Sequence, residues 1–242
     1  MRRGAIVRVV TIGLLAAAVA TAVALFIPWL PADESKEGGR IDFVFWFVVA
    51  ICISVFGVVA AVTIYSVVNF RVRPDDDSDG PPIHGHTGLE IAWTAIPTVL
   101  VTVIAILSAV ALAENGRLKS NRLVVDVTAQ QFAWHFKYPQ YGGFQSDQLR
   151  LVEGRQVELR LRSLDVIHSF WVPEFRQKQD AVPGIVTHLG ITPTKVGTRT
   201  LICTELCGLG HALMRAPVIV MTEAQFDEWA RSQQQGSEGT PG

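Results

Sequence analysis

The stretch Cys203-Thr204-Glu205-Leu206-Cys207-Gly208-Leu209-Gly210-His211-Ala212-Leu213-Met214 carries more chemical information than any other part of the chain. Its donors are spaced C-x3-C-x3-H-x2-M. A strand end followed by a glycine-bearing loop can fold several such side chains onto one centre. A mononuclear blue-copper site uses one Cys, two His and a weak axial Met, with one His supplied from a distant strand. This loop has those parts and a second cysteine. Two thiolates can each bridge two copper ions, and each copper then needs a terminal imidazole. His211 is one, so a second His must come from elsewhere. His84 and His86 fall on the other side of a membrane segment. His135 and His188 lie inside strand-like segments and read as ordinary packed or exposed residues. His168, in Asp165-Val-Ile-His-Ser-Phe-Trp-Val-Pro173, is expected at the end of a strand before a turn, a natural place for the distant ligand. Plainer readings compete. Two cysteines four apart can close a disulfide in an oxidising compartment, and Cys2His2 can hold zinc. A thioether does not suit zinc, however, and the soft donor set favours copper.

Around this loop the sequence is rich in short strands. Leu123–Thr128, Phe132–Tyr138, Leu149–Val152, Val157–Arg162, Ile185–Ile191, Thr198–Cys203 and Pro217–Met221 are β-favouring and are separated by Gly, Pro and Asp clusters. That pattern predicts an antiparallel β-sandwich or barrel over residues 117–233. Thr222-Glu223-Ala224-Gln225 reads as a capping box opening a short C-terminal helix to about Gln233, with a disordered tail over 234–242.

Upstream the composition changes. The chain has 242 residues, 21 Lys+Arg against 22 Asp+Glu, and only 18% charged residues. Its mean hydropathy is +0.31. The near-neutral balance excludes a nucleic-acid binder working by bulk basic charge. Residues 9–32, 43–70 and 91–113 contain no Asp, Glu, Lys or Arg, and each is long enough to span a bilayer, which takes about 20 apolar residues. The last two form a transmembrane helical hairpin over 41–116, with Pro97 expected to kink its second helix. The first follows Arg2, Arg3 and Arg8 and is either a signal peptide or an additional N-terminal span over 1–32. Ala20-Thr21-Ala22 offers a small-x-small cleavage pattern. Residues 33–40 read as a polar linker, and the acidic, turn-rich stretch 75–82 as a loop. Arg71 and Arg73 favour a cytoplasmic position for that loop, which leaves 115–242 outside.

These residues together resemble subunit II of haem–copper cytochrome c oxidase, the subunit bearing a binuclear CuA centre. The resemblance runs over about residues 40–230. It includes the paired spans, Glu90-Ile-Ala-Trp93-Thr-Ala-Ile-Pro97, the aromatic strand, Asp165–Pro173, Lys178-Gln-Asp180-Ala-Val-Pro183-Gly184 and the cysteine loop. It implies a two-helix hairpin followed by a cupredoxin-like β-domain. It implies that Cys203 and Cys207 bridge two coppers, that His168 and His211 are terminal ligands, and that Met214 and the Glu205 backbone carbonyl bind weakly. It further implies an Mg2+ shared with subunit I through the Glu205 carboxylate, and a proton-channel mouth at Glu90. As partners it implies the haem-bearing subunit I, other oxidase subunits and a c-type cytochrome donor. The implied location is the plasma membrane of a bacterium, multi-pass, with the copper domain on the outer face.

One departure concerns the aromatic strand. The family places Gln-Trp-x-Trp there, and the first Trp receives electrons. This chain has Gln131-Phe132-Ala133-Trp134, so Phe132 takes the receiving place and Trp134 survives. Residues 120–242 hold 12 Lys+Arg and 12 Asp+Glu, so no acidic excess advertises a basic soluble cytochrome, although Asp165 is a candidate for donor docking. A membrane-held or tethered cytochrome fits better. The sequence contains no C-x-x-C-H haem motif. Two rivals remain: the CuA subunit of a nitric oxide reductase, and a membrane-anchored copper carrier or metallochaperone. Paired spans and Glu90 argue against a carrier, which needs one anchor. A quinol-oxidase subunit lacks the cysteine ligands.

Overall fold

The computed structural model describes residues 3–71, 75, 80, 82 and 84–238. Arg2, Arg73, most of the acidic stretch 75–82 and the tail beyond 238 lie outside the described residues. Two compact units form, residues 1–29 with 43–110 and residues 30–42 with 111–242.

The first unit is built from α1 (Arg3–Phe26), α2 (Gly38–Asn69) and α3 (Thr87–Asn115). At 1.5 Å per residue each exceeds the ~30 Å hydrocarbon core, and their large apolar side chains are outward and exposed. α1 and α2 meet through small residues. A Cβ added to Gly13 would lie 3.2 Å from the Gly57 carbonyl oxygen and 3.3 Å from Ala61 Cβ, and one on Gly57 would lie 3.1 Å from the Gly13 carbonyl oxygen and 3.3 Å from Ala17 Cβ. Without side chains at the crossing, the backbones approach closely enough for dispersion to hold them, the packing mode of helices in lipid. α3 runs unbroken through Pro97. Its first turn is closed by His86, whose Nδ1 accepts from the Leu89 N–H, and by Glu90, whose carboxylate accepts from the His86 N–H.

The second unit is a two-layered β-domain. One sheet has the order β3 (Gln145–Ser146), β2 (Ala133–Lys137), β1 (Leu123–Gln130), β5 (Val157–Ser163), β8 (Thr187–Ile191). The other runs β4 (Leu149–Val152), β10 (Arg215–Met221), β9 (Gly197–Cys203), β6 (His168–Trp171), β7 (Lys178–Ala181). The sheets are mixed rather than wholly antiparallel, because β1 pairs with β5 and β10 with β4 in parallel. The chain leaves the first sheet through β4 in the second before returning as β5, and a crossover of that kind permits parallel pairing. Alternating side chains of both sheets fill the interior: Val125, Val127, Leu159 and Leu161 face Leu201, Val218 and Val220, with Trp134, Phe136 and Phe170 among them. Burying each such side chain contributes roughly 1.5–3 kcal/mol. The capping box at Thr222 and Gln225 forms as predicted, opening α4 (Glu223–Glu238). α4 docks by Phe226 and Ala230 and runs five residues past Gln233, through Gly236 to Glu238, since the polar run contains no proline to stop it.

The predicted linker at 33–40 is instead an integral strap of the β-domain. Ser35 bridges Pro193 in a β-contact. The Glu34 carboxylate is paired with Arg199 and lies 3.3 Å from Lys195. Glu37 accepts from the Thr192 N–H and hydroxyl, both at 2.8 Å. Arg176 grips Asp42 with two bonds of 2.7 and 3.1 Å and donates to the Pro31 carbonyl. Asn115 joins the Glu37 carbonyl to the Arg40 guanidinium. A Cβ on Gly38 would lie 1.9 Å from Asp33 Oδ1, so a side chain there would require the Asp33 carboxylate to move.

Candidate metal centre

β9 ends at Cys203 beside β6, with Phe170 opposite Cys203 in the register. His168 opens β6 rather than closing a strand, the reverse of the expectation, because the apolar run Phe170–Val172 continues inward from it. The loop from Cys203 to β10 closes on itself. The Cys203 N–H donates to the Met214 carbonyl, and Thr204 N–H to the Ser169 carbonyl of β6. Backbone bonds from His211 to Gly208, Leu213 to Gly210 and Met214 to His211 coil the middle of the loop. These bonds carry the four loop donors to the sheet end.

The two thiol sulfurs are 3.9 Å apart, and both cysteines are free. His168 Nδ1 lies 3.9 Å from Cys203 Sγ, and His211 Nδ1 lies 3.6 Å from Cys207 Sγ. Met214 Sδ is 3.8 Å from Cys207 Sγ, and the Glu205 carbonyl oxygen 3.3 Å from Cys203 Sγ. His168, Cys203 and Cys207 present donor atoms all within 4.8 Å of one another. His168 and Met214 are fully buried, and both cysteines nearly so. The donors therefore form a sulfur pair with an imidazole on each sulfur, a thioether beside one and a carbonyl beside the other. Two thiolates and a thioether are soft donors, and the His/Cys/Cys cluster is consistent with a copper site of the CuA type.

Supporting contacts set the orientation of these donors. His168 Nε2 is 2.8 Å from Asp165 Oδ1. With its proton shared there, Nδ1 presents its lone pair to the sulfurs. Burial raises the Asp165 carboxyl, but hydrogen bonds from His168, the Gln131 N–H and the Val166 N–H outweigh it and hold the group at about 2. Cys207 is pushed up to about 11, first by burial and then by the neighbouring Cys203. Metal binding must displace that proton, which couples loading to pH.

The transmembrane-domain model of cytochrome c oxidase subunit II matches residues 35–110, and the periplasmic-domain model of the same subunit matches residues 147–223. Cytochrome c oxidase subunit 2 of Thermostichus vulcanus is 34% identical over 258 aligned residues, covering 85% of this chain and 78% of that protein. The chain belongs to the cytochrome c oxidase subunit II family. The subunit 2 of Synechocystis sp. is 32% identical, covering 83% of this chain and 74% of that protein. As a member of that family it is a subunit of an oxidoreductase complex, a haem–copper terminal oxidase, and passes electrons toward subunit I. It is a multi-pass membrane protein with its β-domain on the outer face.

The remaining family positions are placed as follows. Phe132 is partly exposed and lies over the cysteine loop, where a Cβ on Gly210 would fall 2.5 Å from its ring and one on Gly208 3.2 Å from it. Trp134 is buried in the core, edge-on to His168 at 6.1 Å and to Phe170 at 5.9 Å. Asp165, the candidate docking charge, is engaged on His168 and Gln131. Glu205 is exposed on the loop. Glu90 is occupied in the first turn of α3. His135 turns outward to Asp147, and His188 to Glu158. Sequence reasoning missed Gln131 and Ser163. Ser163 Oγ accepts from the Asp165 N–H and donates to the Val166 carbonyl, shaping the turn that aims Asp165. A short polar residue before an Asp was the only available signal.

Proposed function

We propose that this site holds a binuclear CuA centre, with Cys203 and Cys207 bridging, His168 and His211 terminal, and Met214 and the Glu205 carbonyl as weak ligands. The observation that supports this most directly is the pairing of each sulfur with its own imidazole, at 3.9 and 3.6 Å, about a 3.9 Å sulfur pair. When bound, the centre supplies one-electron transfer with the charge spread over two metals. The protein's part is to hold the donors still. The β6–β9 pairing fixes His168 against Cys203, Asp165 fixes the imidazole tautomer, and the buried Met214 and Trp134 exclude water, so little rearranges when an electron arrives. The full-length protein loaded with copper should bind two ions per chain and show seven hyperfine lines from one electron shared by two copper nuclei. A four-line signal with one copper per chain would refute the binuclear reading.

Electrons enter from a c-type cytochrome over Phe132 and leave toward the haem of subunit I. The receiving surface is largely apolar: Leu206, Leu209, Leu213 and Leu164 are exposed around the loop, and the partly exposed Asp165 carboxylate is already hydrogen-bonded to His168 and to the Gln131 N–H. Rim charges set on-rate and salt dependence, so a donor held in the membrane or in a complex suits this surface better than a freely diffusing basic cytochrome. Turnover with a soluble cytochrome c should be slow and nearly independent of ionic strength, and a fast rate that falls steeply with salt contradicts this. The exposed Glu205 carboxylate is the proposed Mg2+ ligand shared with subunit I. Glu90 is the proposed proton-channel mouth, so Glu90→Gln should slow oxidase turnover with copper spectra unchanged. Unaltered turnover leaves it a helix-start residue. Finally, α1 is retained as a third span, a reading supported by its Gly13–Gly57 crossing with α2.

A further inference from the structure

Gln131 touches both halves of the site without being a donor to it. Its backbone N–H donates to Asp165 Oδ2 at 2.7 Å, while the other oxygen of that carboxylate takes His168 Nε2 at 2.8 Å. Its side-chain amide reaches across to the cysteine loop and donates to the Cys207 carbonyl. The approach is close enough that a Cβ on Gly208, whose φ is +135°, would lie 2.8 Å from Gln131 Nε2. The adjacent Phe132 ring covers Gly208 and Gly210. The β1–β2 turn thus meets two segments that are distant in sequence, one presenting His168 and the other presenting Cys207. Among the described contacts, the Gln131–Cys207 bond and the Thr204–Ser169 bond are the hydrogen bonds that tie the backbone of residues 204–213 to segments outside the loop.

We infer that Gln131 is a positioning residue for the metal centre, a strut that sets the Cys207 side of the loop against the Asp165–His168 side. The inference rests on the copper reading above. The physical argument has two parts. An outer partner that orients a ligand commonly governs metal affinity by roughly ten- to hundredfold. In addition, the amide N–H aims the positive end of its dipole at the carbonyl of the buried Cys207, while Gln131 itself lies at the surface, so solvent screens part of that field. That field favours the electron-rich, reduced state of a centre built on the Cys207 sulfur.

The test uses the full-length protein and two variants. Gln131→Leu keeps the bulk and removes the donor. Gln131→Glu keeps the shape, removes the donor and adds a negative charge. Both retain the backbone N–H that holds Asp165, so both act on the Cys207 half. Copper affinity by chelator competition should fall roughly tenfold or more in each. The reduction potential should drop in the order wild type, Gln131→Leu, Gln131→Glu, with an altered hyperfine pattern. In the copper-free protein, amide hydrogen exchange over residues 204–214 should quicken in Gln131→Leu while the melting temperature of the β-domain stays near that of wild type. Unchanged affinity and potential in both variants would overturn the inference. So would a loss of affinity matched by general destabilisation with the hyperfine pattern intact. Failure of the wild type to take two coppers would strike the copper reading alone, and the copper-free exchange measurement would still decide for or against the strut.

Discussion

Removing the Glu34 carboxylate tests whether the strap belongs to the β-domain. In Glu34→Gln the Arg199 guanidinium keeps its place but loses its counter-charge. The Arg199 side chain is only 5% exposed and its Nη1 already lacks a partner, so water cannot replace the carboxylate without opening the fold. Breaking a buried ion pair from one side costs about 3–5 kcal/mol, mostly from the stranded charge. Lys195 does not compensate, being a cation itself and 68% exposed. A stability change of 1 kcal/mol moves the melting temperature of a domain of this size by roughly 2–4 °C. The expected fall is therefore about 10 °C. The assay is thermal unfolding of the protein in detergent, followed by near-ultraviolet circular dichroism, to which the buried Trp134, Tyr138 and Phe170 contribute and the backbone of the helices does not. Adding Arg199→Met to Glu34→Gln removes the stranded charge and should recover most of the loss, as apolar replacement of buried ion pairs generally does. A single variant melting within about 2 °C of wild type would refute the reasoning and return residues 33–40 to the status of a linker.

Other outcomes follow from the same structure. Burial pushes Glu158 up, but hydrogen bonds from Arg122, His188 and Arg160 hold its carboxyl at about 2 against an ordinary 4.5. A depressed carboxyl stabilises the fold above its unfolded value and loses that contribution as pH falls. About 3 kcal/mol should therefore disappear between about pH 4.5 and 2, and melting curves across that range should be flatter for Glu158→Gln than for wild type. Met214→Leu should keep copper while shifting the reduction potential, because a thioether is a weak axial ligand; complete loss of copper contradicts that role, whereas Cys203→Ser or Cys207→Ser should abolish the shared-electron signal. The intact mass of protein purified from membranes should include α1, and a mass short of the residues before Val23 means that the segment is a cleaved signal.

The sequence made the cysteine loop legible because its donors are local. Four of them fall within twelve residues, and the chemistry of Cys, His and Met does not depend on what surrounds them. The membrane spans were legible for the same reason, since length and apolarity are properties of a single segment. The strands with strong β-branched composition, such as Leu123–Thr128 and Val157–Arg162, were found nearly at their observed limits. Their two parallel pairings were not, because the order in which strands join sheets depends on crossovers between layers. The short strands β6 and β7 escaped too. His168-Ser-Phe-Trp and Lys178-Gln-Asp-Ala have too little alternation to declare themselves, and they become strands by pairing with β9 and with each other.

The least legible features were polar residues whose partners lie far along the chain. Asp33-Glu-Ser-Lys-Glu looks like a solvated linker by every local criterion. Three of its residues are buried all the same, because Arg199, Thr192 and the Phe175 carbonyl, some 140 to 165 positions away, supply what water otherwise would. Gln131 is the same case on a smaller scale. Gln131 stands in the aromatic-strand motif, but the motif does not say what its side chain holds, and that arises only when 34 residues bring Asp165 to its backbone and 76 bring Cys207 to its side chain. Ligands must carry a specific chemistry and so announce themselves. The residues that hold ligands in place need only one well-aimed hydrogen bond, which many side chains can provide, and so their identity in sequence says little. In this domain the rigidity that electron transfer requires is therefore written mainly in long-range polar contacts, and the cysteine loop alone specifies only what the rigid frame has to hold.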